Sequence, residues 1–318
     1  MSGHLLEARG LTKRYDVRVG WKKRALVAVD GVSLHVDAGE TLGLVGESGC
    51  GKSTLGRMLL RLETPTAGDV YFDGQRLDGA SIRPLRREMQ MVFQEANAAF
   101  DPRLTIGESV GEGLGIHHLS RTRAGRRDRV AALLARVGLE PACMGRYPHA
   151  LSGGQLQRAG IARALAVGPR FLVCDEAVSA LDVSAQAQVL ALLRTLQEEL
   201  GLAYLFIAHD LAAVRQLAGR IAVMYLGRIV ETGPAEDVLR HPLHPYTRML
   251  IEAAPIPDPQ RARMRVLRDV RGEPPSPLDA LPGCAYAPRC PWRTDACARG
   301  RPGLRGGTDG HAAACLHC

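Results

Sequence analysis

Gly46-Glu47-Ser48-Gly49-Cys50-Gly51-Lys52-Ser53 fits the phosphate-cradling pattern G-x-x-x-x-G-K-[ST] at every defined position. The apolar run Thr41-Leu42-Gly43-Leu44-Val45 before it reads as a buried strand, and Thr54 to Leu62 after it as a helix, which is the setting the motif requires. Gly46, Gly49 and Gly51 allow a tight turn that aims backbone N–H groups into one concavity, opening onto the positive end of a helix. A nucleoside triphosphate is expected there, with Lys52 reaching its β- and γ-phosphates and the Ser53 hydroxyl ligating the bridging Mg²⁺. An ordinary Gly-rich turn is the bland alternative, and the complete pattern in this setting speaks against it.

The chain's 318 residues suit about two domains, and 46% hydrophobic residues suffice for a core. The formal charge of +8 fits nucleic acid and an anionic membrane surface equally well, so charge does not choose between them. Charge-free runs stay under a dozen residues, short of the roughly 20 that a spanning helix needs, and Met1 to Val17 has no signal-peptide core. A cytosolic chain is expected, so its eight cysteines read as thiols or metal ligands rather than disulfides. Five of them follow residue 283, and that tail needs its own explanation.

Toward the N-terminus, Leu5 to Tyr15 reads as a strand ending in an exposed aromatic, Val17 to Arg24 as a basic loop, and Ala28 to Val36 as another strand. Gly68 to Phe72 is a strand closed by the turn Asp73-Gly74. Toward the C-terminus, the strand Met89 to Gln94 ends in an amide, which is either a Mg²⁺ or water contact or an ordinary capping glutamine. Thr105 to Val137 is helical and rich in arginine; Arg121, Arg123, Arg126, Arg127 and Arg129 read as a solvated face, since no aromatic platform for nucleic acid interleaves them. Leu151-Ser152-Gly153-Gly154-Gln155 opens a helix and offers a second anion-binding helix end; a Ser-Gly-Gly cap would look similar without requiring the glutamine. The strand Phe171 to Glu176 delivers two adjacent carboxylates to opposite faces, with Asp175 suited to hold Mg²⁺ and Glu176 to polarise the attacking water. Ser179 to Asp182 is a turn, Val183 to Leu200 a helix, and Tyr204 to Ala208 a buried strand ending at His209, a candidate γ-phosphate sensor.

Taken together, these motifs resemble the nucleotide-binding subunits of ABC transporters, from about Leu5 to the end of the chain. In that family's terms Tyr15 matches the adenine-stacking aromatic, Gly46 to Ser53 the Walker A loop, Gln94 the Q-loop and Leu151 to Gln155 the signature motif. Asp175 matches the Walker B aspartate, Glu176 the catalytic glutamate, Ser179 to Asp182 the D-loop and His209 the switch histidine. The resemblance implies an α/β P-loop NTPase: a RecA-like core with an antiparallel β subdomain over residues 1–240, a helical subdomain at about 96–165, and an extension over 241–318. It also implies ATP contacts from Ser48, Gly49, Gly51 and Thr54, and from Ser152, Gly153, Gly154, Gln155 and Asp182, with Mg²⁺ held by Ser53, Gln94 and Asp175.

Arg146-Tyr147-Pro148-His149 and Pro242-Leu243-His244-Pro245-Tyr246-Thr247 resemble the oligopeptide and dipeptide importers, as does the cysteine-bearing tail. In some of those ATPases the extension binds a [4Fe-4S] cluster, which would fall here to Cys284, Cys290, Cys297 and Cys315; spacings of five, six and seventeen residues leave zinc or no metal open. The resemblance places that extension outside the nucleotide core, and the tail's poor periodicity suggests that a metal holds it together. Two departures from the subfamily's pattern stand out: Ala96 and Ala177 occupy places where it usually has proline, which frees local φ. The implied activity is ATP-driven import, with nickel or glutathione importers as alternatives to peptide ones. Its partners are two permeases, a second homologous ATPase subunit in a head-to-tail pair and, indirectly, an extracytoplasmic binding protein, at the cytoplasmic face of the membrane. An ABC-type ATPase on nucleic acid is the rival class; it usually carries two cores or an inserted coiled coil, and no nucleic-acid partner is expected.

Overall fold

The computed structural model describes residues 3–79, 82–253, 275–276, 278, 282–306 and 310–318. In chain order come strands β1 (Leu6–Val19), β2 (Lys22–Val36) and β3 (Thr41–Val45), helix α1 (Lys52–Leu59), strands β4 (Ala67–Phe72) and β5 (Gln75–Arg76), helix α2 (Ile82–Leu85) and strand β6 (Met89–Val92). Helices α3 (Ile106–Ile116), α4 (Arg123–Arg136) and α5 (Gly153–Leu165) follow, then β7 (Phe171–Asp175), α6 (Val183–Leu200), β8 (Ala203–Ala208) and α7 (Leu211–Leu217). The last part holds β9 (Arg220–Tyr225), β10 (Arg228–Pro234), α8 (Ala235–Arg240), α9 (Pro245–Ala253), α10 (Asp295–Arg299), β11 (Arg305–Gly306) and β12 (Ala312–Ala313).

Packing divides the chain into two compact units. The first comprises Met1–Leu5, Val36–Thr41 and Phe72–Ile207. Its β6, β7 and β8 run parallel, with Val92 opposite Cys174 and Asp175 opposite Ile207. Every residue of β7 and β8 is buried, as expected for parallel strands covered on both faces. The arginine-rich stretch is two helices. Thr105 starts α3 with a capping box, its hydroxyl accepting from the Glu108 N–H while the Glu108 carboxylate accepts from the Thr105 N–H. Arg121, Arg123, Arg127 and Arg129 are exposed, and Arg129 donates to the Leu119 carbonyl.

The second unit comprises Leu6–His35, Leu42–Tyr71 and Ala208–Cys318. There β3 pairs in parallel with β9, and the sheet continues antiparallel through β10, β12 and β11. β1 lies between β2 and β4 in a separate sheet. One expectation needs correction here. The basic stretch Val17 to Arg24 is not a loop: β1 and β2 extend through it and turn only at Gly20-Trp21, where Gly20 has φ 61°. Residues on either side of position 240 meet within this unit. The Glu231 carboxylate of β10, wholly buried, accepts from the N–H groups of Leu243 and His244, each at 2.8 Å. β12 of the tail pairs with β10, Glu231 opposite Ala313.

Candidate active site

The phosphate loop lies in the second unit. Val45 ends a wholly buried β3, and Gly51 enters α1 at φ 104°. A Cβ on Gly51 would run into the Ala28 carbonyl, and one on Gly46 into the Met224 carbonyl, so both positions require glycine for close backbone approach. Lys52 is buried, and its ammonium donates to the carbonyls of Gly46 (2.8 Å) and Glu47 (3.0 Å), curled over the loop it would share with phosphate. A cation in a glycine cradle at a helix start fits a triphosphate and its Mg²⁺. Ser53 and Thr54 occupy the first turn of α1, half-buried, while Ser48 and Gly49 are exposed.

Tyr15 belongs to the same unit. Its hydroxyl donates to Glu63, and the Lys13 ammonium sits 4.9 Å from its ring centroid. Burial, then the bond to Glu63, pushes the phenol pKa up, against opposing effects of Thr54 and Arg57 on α1. The aromatic expected to stack on adenine therefore stands beside the phosphate-loop helix. His209, exposed, directly follows β8, and Asp210 caps α7 by accepting from the Ala212 N–H at 2.7 Å.

The candidate hydrolytic groups lie in the first unit. Asp175 is buried at the end of β7. Glu176 does not continue the strand as expected: its φ of 46° turns it aside, its N–H donates to Ile207 O at 3.0 Å, and its carbonyl accepts from the Ser179 N–H and hydroxyl. The Gln94 amide donates to the Glu176 carboxylate at 2.9 Å, so the Q-loop residue meets the catalytic candidate rather than capping a helix. Where the usual proline is absent, Ala96 starts a short 3-10 turn, Ala96–Ala99, and Ala177 is buried.

Ser152 caps α5 by accepting from the Gln155 N–H at 3.3 Å, while Gln155 accepts from the Ser152 N–H at 3.0 Å. This overturns one step of the sequence reading, because the glutamine is itself half of a capping box. Gly154 packs against Ala185 in the first turn of α6, where Asp182 is the N-cap, accepting from the Ala185 N–H at 2.9 Å. The D-loop aspartate and the signature helix thus share one corner.

In the tail, Cys284, Cys290, Cys297 and Cys315 line one small cavity with Tyr286 and His317. Burial raises the thiol pKa of Cys284 and Cys290, whereas the Thr294 hydroxyl lowers that of Cys297. No three of these sulfurs lie within 4.8 Å of one another. Cys318 donates to the Leu243 carbonyl, and burial and then its neighbour Cys315 push its thiol pKa up to about 12.

Composition and spacing gave no sign of the contacts that fasten this tail. Tyr225, Tyr246 and Tyr286 pack with ring centroids 4.5 to 5.5 Å apart. Arg289, 5% exposed, forks onto the Glu47 carboxylate at 2.9 and 3.0 Å, and the Tyr246 hydroxyl accepts from the Glu47 N–H at 2.8 Å. Residues of the extension therefore touch the phosphate loop directly.

Family models match at two places: ABC transporter over residues 29–179, and oligopeptide/dipeptide transporter, C-terminal region, over 230–297. A probable peptide ABC transporter ATP-binding protein of Sinorhizobium fredii is 50% identical over 322 residues, covering 99% of this chain and 90% of the relative. The oligopeptide transport ATP-binding protein OppF of Salmonella typhimurium is 48% identical, covering 98% and 96%. Among solved structures, the ATP-binding cassette MJ0796, a dimer in a post-hydrolysis state bound to ADP and Pi, is 32% identical with a TM-score of 0.64, covering 72% of this chain and 98% of that one. CbiO1 of Clostridium perfringens, part of the ABC transporter complex cbiONQ, is 27% identical with a TM-score of 0.64, covering 75% and 91%. With relatives at about half identity over nearly the whole chain and family models matching both its cassette and its C-terminal region, this chain belongs to the ATP-hydrolysing ATP-binding subunits of ABC transporters.

Proposed function

We propose that the protein is the ATPase motor of a peptide importer, bound through its partners to the cytoplasmic face of a membrane. The observation that carries this reading is the match over nearly the whole chain, tail included, to peptide-transport ATP-binding proteins. Gly46 to Thr54 hold the triphosphate, Lys52 neutralises its β- and γ-phosphates, and Tyr15 stacks on the base. The residues that would hold Mg²⁺ are Ser53, Asp175 and Gln94, and the ion would supply charge neutralisation at the phosphates. Glu176 takes the proton of the attacking water, Gln94 orients the Glu176 carboxylate to which it is already bonded, and His209 senses the γ-phosphate. Ser152 to Gln155 and Asp182 act on nucleotide held by a second, homologous subunit, so that two chains close head to tail on ATP; the dimeric state of MJ0796 supports such a pairing. Two permeases receive the motion, and an external binding protein supplies the peptide.

The test is a membrane reconstitution with the two cognate permeases and partner ATPase, driven by peptide-loaded binding protein. Peptide should stimulate ATP turnover and enter the vesicle lumen. Turnover stimulated by nucleic acid instead would replace this reading with the rival class.

The tail thiols are not gathered as one zinc would hold them. A single zinc at about 2.3 Å from each sulfur would gather four thiolates to about 3.8 Å of one another, closer than these stand. We assign Cys284, Cys290, Cys297 and Cys315 as the ligands of a [4Fe-4S] cluster. Anaerobically purified protein should be brown and hold about four iron atoms per chain. Cys290→Ser should remove the colour, and colourless, iron-free protein from an iron-replete anaerobic preparation would refute the assignment.

A further inference from the structure

Glu47 is the second residue of the phosphate loop, and its N–H, its carbonyl and its carboxylate are all held at once. Its N–H donates to the Tyr246 hydroxyl at 2.8 Å, its carbonyl accepts from Lys52 Nζ at 3.0 Å, and its carboxylate receives both arms of the Arg289 guanidinium. Two of these restraints come from residues beyond the ATPase cassette. Arg289 is buried, with its guanidinium near the rings of Tyr225 and Tyr286, so its position is set by packing as well as by charge.

Its backbone belongs to the turn that presents two of the tail thiols. The Ala287 N–H donates to Cys284 O at 3.1 Å, Arg289 N–H to Tyr286 O at 2.9 Å and Cys290 N–H to Ala287 O at 3.3 Å. The turn is tied in turn to the third thiol residue, with the Cys284 N–H donating to Cys297 O at 2.8 Å. A change in what the thiols hold is therefore one residue away from the guanidinium that grips the loop. The buried fork leaves that guanidinium little freedom, since a planar bidentate pair fixes orientation as well as distance.

We propose that Arg289 is a positioning residue for the phosphate loop, and that through its bond to Glu47 the thiol-lined cavity of the tail is coupled to nucleotide affinity. This rests on the reading of Gly46 to Ser53 as the triphosphate site. Arg289 itself touches no phosphate. It keeps Glu47, and with it the carbonyl that Lys52 rests on, in the binding geometry before nucleotide arrives, so that ordering cost is not taken out of binding. Linkage then requires the reverse effect, with nucleotide stabilising the turn that carries Cys284 and Cys290.

The test uses the full-length chain, prepared anaerobically, with equilibrium binding of a fluorescent ATP analogue in Mg²⁺, well below each variant's melting midpoint. Arg289→Lys keeps the charge and loses the fork; Tyr246→Phe removes only one hydroxyl and keeps the buried ring. Arg289→Lys should weaken binding by about 5- to 50-fold and Tyr246→Phe by several-fold. In the reconstituted transporter the KM for ATP should rise by the same factor while kcat stays within about twofold, a split that a merely structural tie would not produce. Cys290→Ser should also weaken binding, but add little in the Arg289→Lys background, because both act along one route. Arg289→Lys and Tyr246→Phe that melt earlier yet bind with wild-type affinity would overturn the proposal, as would a Cys290→Ser effect that adds in full to Arg289→Lys. Should wild type and Lys52→Ala bind the analogue alike, the loop is not the triphosphate site, and the nucleotide reading falls together with this one.

Discussion

Glu176 leaves the line of β7 through a single left-handed torsion, φ 46°, and that torsion decides what its carboxylate meets. Strand alternation alone would have aimed it to the opposite face from Asp175. Holding a non-glycine residue there costs about 1 to 3 kcal/mol, and it persists only where the surroundings fix it. Here the Ile207 carbonyl, the Ser179 N–H and the Ser179 hydroxyl do so. The Gln94 amide then orients the carboxylate from 2.9 Å. Glu176→Gln keeps the size and a hydrogen bond to Gln94 while removing the basic oxygen pair, so the expected outcome separates binding from chemistry. Equilibrium ATP affinity should stay near wild type while steady-state hydrolysis in the reconstituted transporter slows by roughly 10²- to 10⁴-fold, the usual worth of a general base. Turnover within a few-fold of wild type would remove Glu176 from that role.

Helix α5 begins with a segment that serves two ends, and substitution can tell them apart. Ser152 and Gln155 satisfy each other's N–H groups in a capping box, which already accounts for both residues structurally. Ser152→Asp caps as well as serine does, so the melting midpoint of the protein should scarcely move. The same change puts a negative charge where the partner's γ-phosphate is proposed to dock, and ATPase activity of the assembled transporter should fall by at least tenfold. Activity close to wild type at unchanged stability would mean that the segment is a helix cap and nothing more. Elements with strong local signals were legible from the sequence. The phosphate-loop strand and helix, the buried β7 and β8, and α6 from Val183 to Leu200 with its Asp182 cap follow from periodicity and start signals. The turn at Asp73-Gly74, with φ of 49° and 75°, was legible too, from its dipeptide alone. What escaped depends on contacts between residues far apart in sequence. Arg289 and Glu47 are 242 residues apart, and no periodicity or spacing announces such a pair. The β1–β2 hairpin escaped for another reason: its polar, basic tip buries little and so lacks the apolar alternation by which strands are recognised.

At the scale of the whole molecule, the excess of positive charge has to be weighed against the proposed seat on a membrane. Part of it is concentrated on the β1–β2 hairpin, where Arg18, Lys22, Lys23 and Arg24 are exposed around Trp21, itself wholly solvent-accessible. Each such cation near an anionic leaflet contributes about 1 kcal/mol, so four supply about 4 kcal/mol, a dissociation constant near the millimolar range. That is too weak to hold the protein on a bilayer alone, and screening at physiological salt weakens it further. Among the described residues no helix is long and apolar enough to cross a membrane and add the missing anchor. On the proposed reading, the permeases supply the attachment. Full-length protein expressed with them should sediment with the membrane fraction and stay there in 0.5 M salt, whereas the same chain expressed without them should remain in the supernatant. Purified chain that bound anionic vesicles tightly in the absence of partners, with affinity falling steeply as salt is raised, would show that surface charge rather than the permeases seats it, and the importer reading would lose its support at this scale.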